Sequence, residues 1–222
     1  MNKLDNPVWH ALNEAHAAHC ISLGNCRFYQ PQYCLFGAFT GSNDIAPSLK
    51  EYSFLSEMFF IVGEQPQHDG SVRNAGVVTC DQMILEEPVR PAITSEIVAL
   101  NLKHEAQLQE LVNLVQPGYF RPFTPVLGKY FGIFNDDKLV AAAGERMKMN
   151  DMTEVSAVVT RPGYTGRGFA GQLVAYTTNK IFEEGKIPFL HVAETNTGAI
   201  ALYEKLGFRY RRKMMFRKFA AC

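Results

Sequence analysis

The chain has 222 residues, room for one large domain or two small ones. Hydrophobic residues make up 47% of it, enough to build a packed core and to exclude disorder as the default state. Lys plus Arg and Asp plus Glu number 22 each, and that balance argues against nucleic acid as a partner, whose binding comes mainly from neutralised phosphates.

The five cysteines, Cys20, Cys26, Cys34, Cys80 and Cys222, are odd in number and form no C-x-x-C pair. Neither a zinc site nor a disulfide framework is expected, no metal is assigned, and reduced thiols point to a cytoplasmic location. Met1 to Pro7 holds no apolar run suited to a signal peptide, and no stretch is apolar for long enough to cross a bilayer, so no membrane partner is expected.

In chain order, Pro7 to about Ile21 reads as a helix, with Asn6 as N-cap and Pro7 in the first helical position. The stretch Cys26 to Thr40 reads as two short strands broken around Pro31, and Ala46 to Glu57 as a helix with Leu49, Tyr52, Phe54 and Leu55 apolar. Met58 to Gly63 and Ala75 to Leu85 read as strands joined by a polar loop. Two prolines and two acids between Glu86 and Pro91 mark a boundary, dividing the chain into an N-terminal α/β segment, 1–90, and a C-terminal domain, 91–222. Beyond it come a strand at Ile93 to Leu100 and a helix at His104 to Gln116, whose Leu108, Leu111, Val112 and Val115 fall at i, i+3, i+4 and i+7. A hairpin of Tyr130 to Phe134 and Lys138 to Met147 turns around Asn135-Asp136-Asp137. A strand at Glu154 to Thr160, a helix from Ala170 to Ile181, a strand at Pro188 to Ala193, a helix ending at Gly207 and a last strand at Phe208 to Phe219 follow. The C-terminal order is β-α-β-β-β-α-β-α-β.

The chemistry concentrates where the strand ending Val158-Val159-Thr160 meets Arg161-Pro162-Gly163-Tyr164-Thr165-Gly166-Arg167-Gly168-Phe169-Ala170 and becomes a helix. Glycines there let the backbone approach a ligand, and the first helical amides form an anion site suited to a pyrophosphate. No Gly-Lys-Ser/Thr follows, so this is not a P-loop, and G-x-G-x-x-G is absent. Taken alone, the loop also fits a tight structural turn.

With Asn196 and the run Ala201-Leu202-Tyr203-Glu204-Lys205-Leu206-Gly207-Phe208 downstream, this loop resembles the GNAT superfamily of N-acetyltransferases, most closely its FR47-like group. The resemblance covers roughly Ile93 to Phe219; a fainter one around Asn6 to His10 hints at a degenerate half of the same kind. One departure stands out: the Gln or Arg that usually opens the family's loop is replaced by Thr165 or Gly163, depending on frame.

The resemblance implies an α/β fold with a mixed, mostly antiparallel sheet and helices on both faces. It also implies acetyl-CoA as cosubstrate, wedged between strands that run parallel and splay apart. Val158, Val159 and Thr160 would then present backbone groups to the pantetheine arm. Gly166, Arg167, Gly168, Phe169, Ala170 and Gly171 would hold the pyrophosphate, and Asn196 would bond the cosubstrate. Tyr203, seven residues beyond Asn196, would protonate the departing thiolate, an acid the reaction needs because a thiolate leaves more easily when protonated. The implied reaction is direct attack by a primary amine, with a small amine, an amino acid or a peptide N-terminus as acceptor.

Three residues are candidates for the general base: Glu145, Glu154 and His191. If Glu145 and Glu154 share a face of their hairpin, each raises the other's pKa, with Glu145 slightly ahead as base. A shift of one residue would instead set Arg146 against Glu154 as an ion pair. His191 competes because an imidazole ordinarily titrates near neutral pH, which suits proton removal. Phe120, Phe123, Tyr130 and Phe131 either shape the acceptor pocket or fill the core. His10, His16 and His19 read as a solvated helix face. A non-catalytic acyl-CoA-binding or regulatory module, or an N-terminal protein-interaction segment, stays open beside the transferase.

Overall fold

The computed structural model describes residues 2–90 and 92–222. Pro91, the last residue of the expected boundary, lies outside them. The strands are β1 (Cys20–Leu23), β2 (Cys26–Tyr29), β3 (Phe36–Phe39), β4 (Met58–Val62), β5 (Val72–Ile84), β6 (Val98–Ala99), β7 (Tyr130–Asn135), β8 (Lys138–Lys148), β9 (Met152–Thr160), β10 (Ile187–Ala193) and β11 (Arg209–Ala221). The helices are α1 (Pro7–Asn13), α2 (Ala46–Ser53), α3 (Glu105–Val115), α4 (Phe169–Glu183) and α5 (Thr197–Lys205).

All eleven strands belong to one sheet, ordered β1-β2-β3-β4-β11-β5-β10-β9-β8-β7-β6. Neighbours are antiparallel except β3 with β4 and β9 with β10. Strand β5, from the N-terminal segment, lies between β10 and β11, while β11 pairs on its other side with β4. Residues on either side of the 86–91 stretch are therefore interleaved in one sheet.

Alternation along β7 and β8 sends side chains to both faces. Tyr130, Leu139 and Ala142 pack with Leu108, Leu111 and Val112 of α3, whereas Phe131, Ile133, Val140 and Ala141 pack with Leu173 of α4. The two helices thus cover opposite faces, as expected. In the β7–β8 turn, Asp136 and Asp137 have φ of 49° and 60°, the left-handed pair that a tight two-residue hairpin needs.

Three expected elements differ. The first helix stops at Asn13, not near Ile21. His16 turns inward, buried, with Nδ1 2.8 Å from the Tyr29 hydroxyl and Nε2 3.0 Å from the Leu127 carbonyl oxygen, so it is not on a solvated face. The chain then forms β1 against β2. Asn6 does occupy the N-cap position, but its side chain donates to the Phe39 carbonyl (2.8 Å) rather than capping. Helix α2 ends at Ser53, leaving Phe54 and Leu55 exposed. Of the strand expected at Ile93 to Leu100 only Val98–Ala99 pairs; the Thr94 and Ser95 amides instead donate to Gln172 Oε1 of α4 at 2.8 and 2.9 Å.

Candidate active site

Strands β9 and β10 run side by side only from Met152/Ile187 to Glu154/Phe189. Beyond that register they separate, and β10 stays paired with β5 through Ala193. Backbone groups in the gap have no ladder partner, which makes it a natural ligand slot. A cleft of about 880 Å³ opens there, lined by Val155 to Val158 and Thr160 on one side and by His191 to Ala193 on the other. Within β9 the pairing to β8 slips, and Ala157 takes φ 51°. A non-glycine residue held in that region marks a bulge that re-aims the backbone at a site.

One end of the cleft is the glycine loop. Gly163, Gly166 and Gly168 have φ of 86°, 77° and 76°, a left-handed region that other residues enter only with strain. Gly168 is the N-cap of α4 and provides no side-chain cap, so the first-turn amides are left for a ligand at the positive end of the helix dipole. Gly166, Gly168, Phe169, Ala170 and Gly171 all line the cleft. These features fit a bound pyrophosphate. Arg167 does not join them: its guanidinium lies 4.8 Å from the Tyr164 ring centre and donates weakly to the Gly163 carbonyl (3.4 Å). The Val159 side chain packs into the core under α3, and Val158 and Thr160 line the cleft.

Asn196 and Tyr203 reach the cleft from α5. Asn196 is the N-cap, its Oδ1 accepting from the Ala199 amide at 3.2 Å. Tyr203, two turns further along α5, is only 7% exposed and lines the cleft. Burial pushes the phenol up to about 12, so it holds its proton at neutral pH.

The opposite end of the cleft is built by the hairpin and the N-terminal segment. A slip in the β8–β9 ladder sets Arg146 beside Glu154, with Nε and Nη2 both donating to its carboxylate at 2.8 Å. His191 Nδ1 lies 2.8 Å from Glu154 Oε1, the oxygen that also accepts from Nη2. Gln82 fixes the ring's orientation. Its Oε1 accepts from Arg211, so its amide nitrogen donates, both to the Leu4 carbonyl (2.8 Å) and to His191 Nε2 (3.1 Å). His191 therefore accepts at Nε2 and donates from Nδ1.

Of the two alternatives for the hairpin, the Arg146–Glu154 ion pair is the one that forms, and Glu145 and Glu154 do not pair. Burial alone would raise the Glu154 pKa, but the Arg146 guanidinium outweighs it and brings the carboxyl down to about 2. Glu145 is fully buried on the far side of β8, where Oε2 accepts from Lys148 Nζ (2.6 Å) and the Lys129 amide (3.1 Å). The ion-pair register holds because a buried carboxylate next to a guanidinium is far cheaper than two buried carboxylates side by side. Of the aromatic candidates, Phe120 lines the cleft with Tyr119, Tyr130 and Phe131 are core, and Phe123 is exposed beside Tyr33. Phe36, Val78, Cys80 and Phe216 complete this end; no sequence pattern marked them, because sheet order alone brings them there.

A cleft between splayed strands, with an uncapped helix start at one end, fits an acetyltransferase fold. Residues 130–217 match the family model of the FR47-like protein. A crystal structure from Novosphingobium aromaticivorans assigned to the GNAT acetyltransferase family shares 31% identity over the full length of both chains, with a TM-score of 0.90. A GCN5-related N-acetyltransferase from Kribbella flavida (15% identity, 100% of this chain and 96% of that one, TM-score 0.68) shares the fold. So does a GCN5-related N-acetyltransferase-like protein from Streptococcus suis (16%, 99% and 96%, TM-score 0.65). No curated protein sequence matches. The chain belongs to the GNAT family of acetyltransferases, in its FR47-like group. No helix among the described residues is long and apolar enough to cross a membrane.

Proposed function

We propose that the protein transfers the acetyl group of acetyl-CoA to a primary amine by direct attack, with Tyr203 as general acid. The observation that carries this is that Tyr203, a largely buried residue, lines the same cleft as the uncapped start of α4. In this reading acetyl-CoA supplies the thioester whose carbonyl carbon is attacked. The Gly166–Gly171 loop binds the pyrophosphate, and Asn196 and the open edge of β9 orient the pantetheine arm.

The amine nitrogen bonds to the carbonyl carbon and the carbon–sulfur bond breaks. The sulfur takes its proton from the Tyr203 hydroxyl, while the new amide nitrogen releases one proton that restores the phenol through solvent in the open cleft. At neutral pH the phenol carries the proton that this role requires. Glu154 and His191 serve here as the supports that hold Arg146 and the β10 wall, since the carboxylate is ion-paired and both ring nitrogens are engaged. Glu145 lies outside the cleft wall. The amine therefore enters the reaction already neutral or loses its proton to cleft water.

The test is release of free thiol from acetyl-CoA in the presence of a panel of amines, with the acetylated product identified by mass. Thiol release that depends on an amine supports the transfer. Tight acetyl-CoA binding with no amine-dependent release would make the protein a non-catalytic binding module.

A further inference from the structure

Among the described residues, Arg146 is the only formally charged side chain that lines the cleft; its partner Glu154 is fully buried behind it. Its surroundings are apolar. The guanidinium carbon sits 4.6 Å from the centre of the Phe36 ring, Phe36 packs edge-on against Phe216, and Val78 is the strand partner of Phe216. Tyr119 lies across the cleft, stacked on Phe60.

Arg146 is held in place, not mobile. Nε and Nη2 are engaged by Glu154, which is itself anchored by His191 and through it by Gln82. This leaves Nη1 without an acceptor, on a side chain that is 14% exposed toward the cleft. A guanidinium clamped on one edge presents its remaining N–H pair in a fixed direction, which suits a planar oxygen acceptor.

We infer that the acceptor is an α-amino acid with an apolar side chain, its carboxylate received by Arg146 Nη1 and its side chain by the wall of Phe36, Val78 and Phe216. This inference rests on the acetyltransferase reading above and names its substrate class. A second cation on the acceptor would find no carboxylate in this wall, which disfavours polyamines and lysine side chains. The Arg146–Glu154 pair is neutral overall, so the recognition is a charge-assisted hydrogen bond to the free N–H groups rather than a bare attraction of opposite charges. The pocket for the side chain comes from β3 and β5 of the N-terminal segment together with β11, so the N-terminal segment supplies two of the three wall residues for chemistry carried by the C-terminal residues.

The test compares kcat/KM for phenylalanine, leucine and methionine with that for the decarboxylated amines of the same side chains, and with lysine and aspartate, on the unaltered protein. The apolar amino acids should exceed their decarboxylated amines by on the order of 10²-fold, the size of a lost hydrogen bond to a charged group. They should also exceed lysine and aspartate. Arg146→Gln alone would strand a buried carboxylate, so the double variant Arg146→Gln/Glu154→Gln is used. It should bind acetyl-CoA normally by calorimetry and bring the amino acid-to-amine ratio close to one. Equal or better turnover of the decarboxylated amines by the unaltered protein, or an unchanged ratio in the folded double variant, overturns the inference and leaves the transferase standing. Absence of amine-dependent thiol release with every acceptor overturns the transferase itself.

Discussion

Replacing Glu154 by Gln isolates one buried charge. The Glu154 side chain is fully buried, receives two hydrogen bonds of 2.8 Å from Arg146 and lies 2.8 Å from His191 Nδ1. Glutamine keeps the shape and one acceptor oxygen but leaves the Arg146 cation without its counter-charge, in a site where that side chain is 14% exposed. Removing one partner of a buried pair costs about 3–5 kcal/mol, against almost nothing for an exposed pair. For a chain of this length that corresponds to a fall in Tm of roughly 6–20 °C. Urea unfolding and thermal melts measure it, and Arg146→Gln/Glu154→Gln should recover much of the loss because no unpaired charge remains. The same pair gives a pH signature. The folded carboxyl titrates near 2 and the unfolded one near 4.5, so its stabilisation is complete above 4.5 and is lost as pH falls toward 2. A Glu154→Gln protein within about 1 kcal/mol of the parent, with the acid limb unchanged, would refute the assignment of this pair as a buried, mutually dependent unit.

Tyr203→Phe keeps the ring that packs near Phe208 and removes the proton; turnover should fall on the order of 10²-fold with acetyl-CoA affinity kept, measured by thiol release and calorimetry. Gly168→Asp forces a side chain onto a residue at φ 76° and sets a negative charge at the start of α4, so calorimetry should show acetyl-CoA binding lost while circular dichroism still reports a folded chain. Burial holds the His16 imidazole down to about 4 against 6.5 when unfolded; between those values the unfolded chain binds more protons, so stability should drop by roughly 3 kcal/mol as pH falls from 6.5 to 4, and His16→Gln should flatten that slope in urea titrations.

The local rules of the chain were readable from residue types because they act over a few neighbours. Gly163, Gly166 and Gly168 announced a close-approach loop feeding a helix, and the period of Leu108, Leu111 and Val112 announced the face of α3. The parallel course of β9 and β10 is what a crossover helix between them requires, while their divergence was implied by the family resemblance alone. What the tertiary structure alone decided were relations across long stretches of chain. Nothing local told that β5 would sit between β10 and β11, and so nothing told that Phe36, Val78 and Cys80 would meet Arg146. The first helix ended early because His16 found Tyr29 and Leu127, residues 13 and 111 positions away. The choice between two hairpin registers, which separates a pair of carboxylates from a carboxylate–guanidinium pair, turned on a ladder slip that no residue type encodes. Burial resolved it, because a buried carboxylate is tolerated only where a fixed cation and hydrogen-bond donors replace its water.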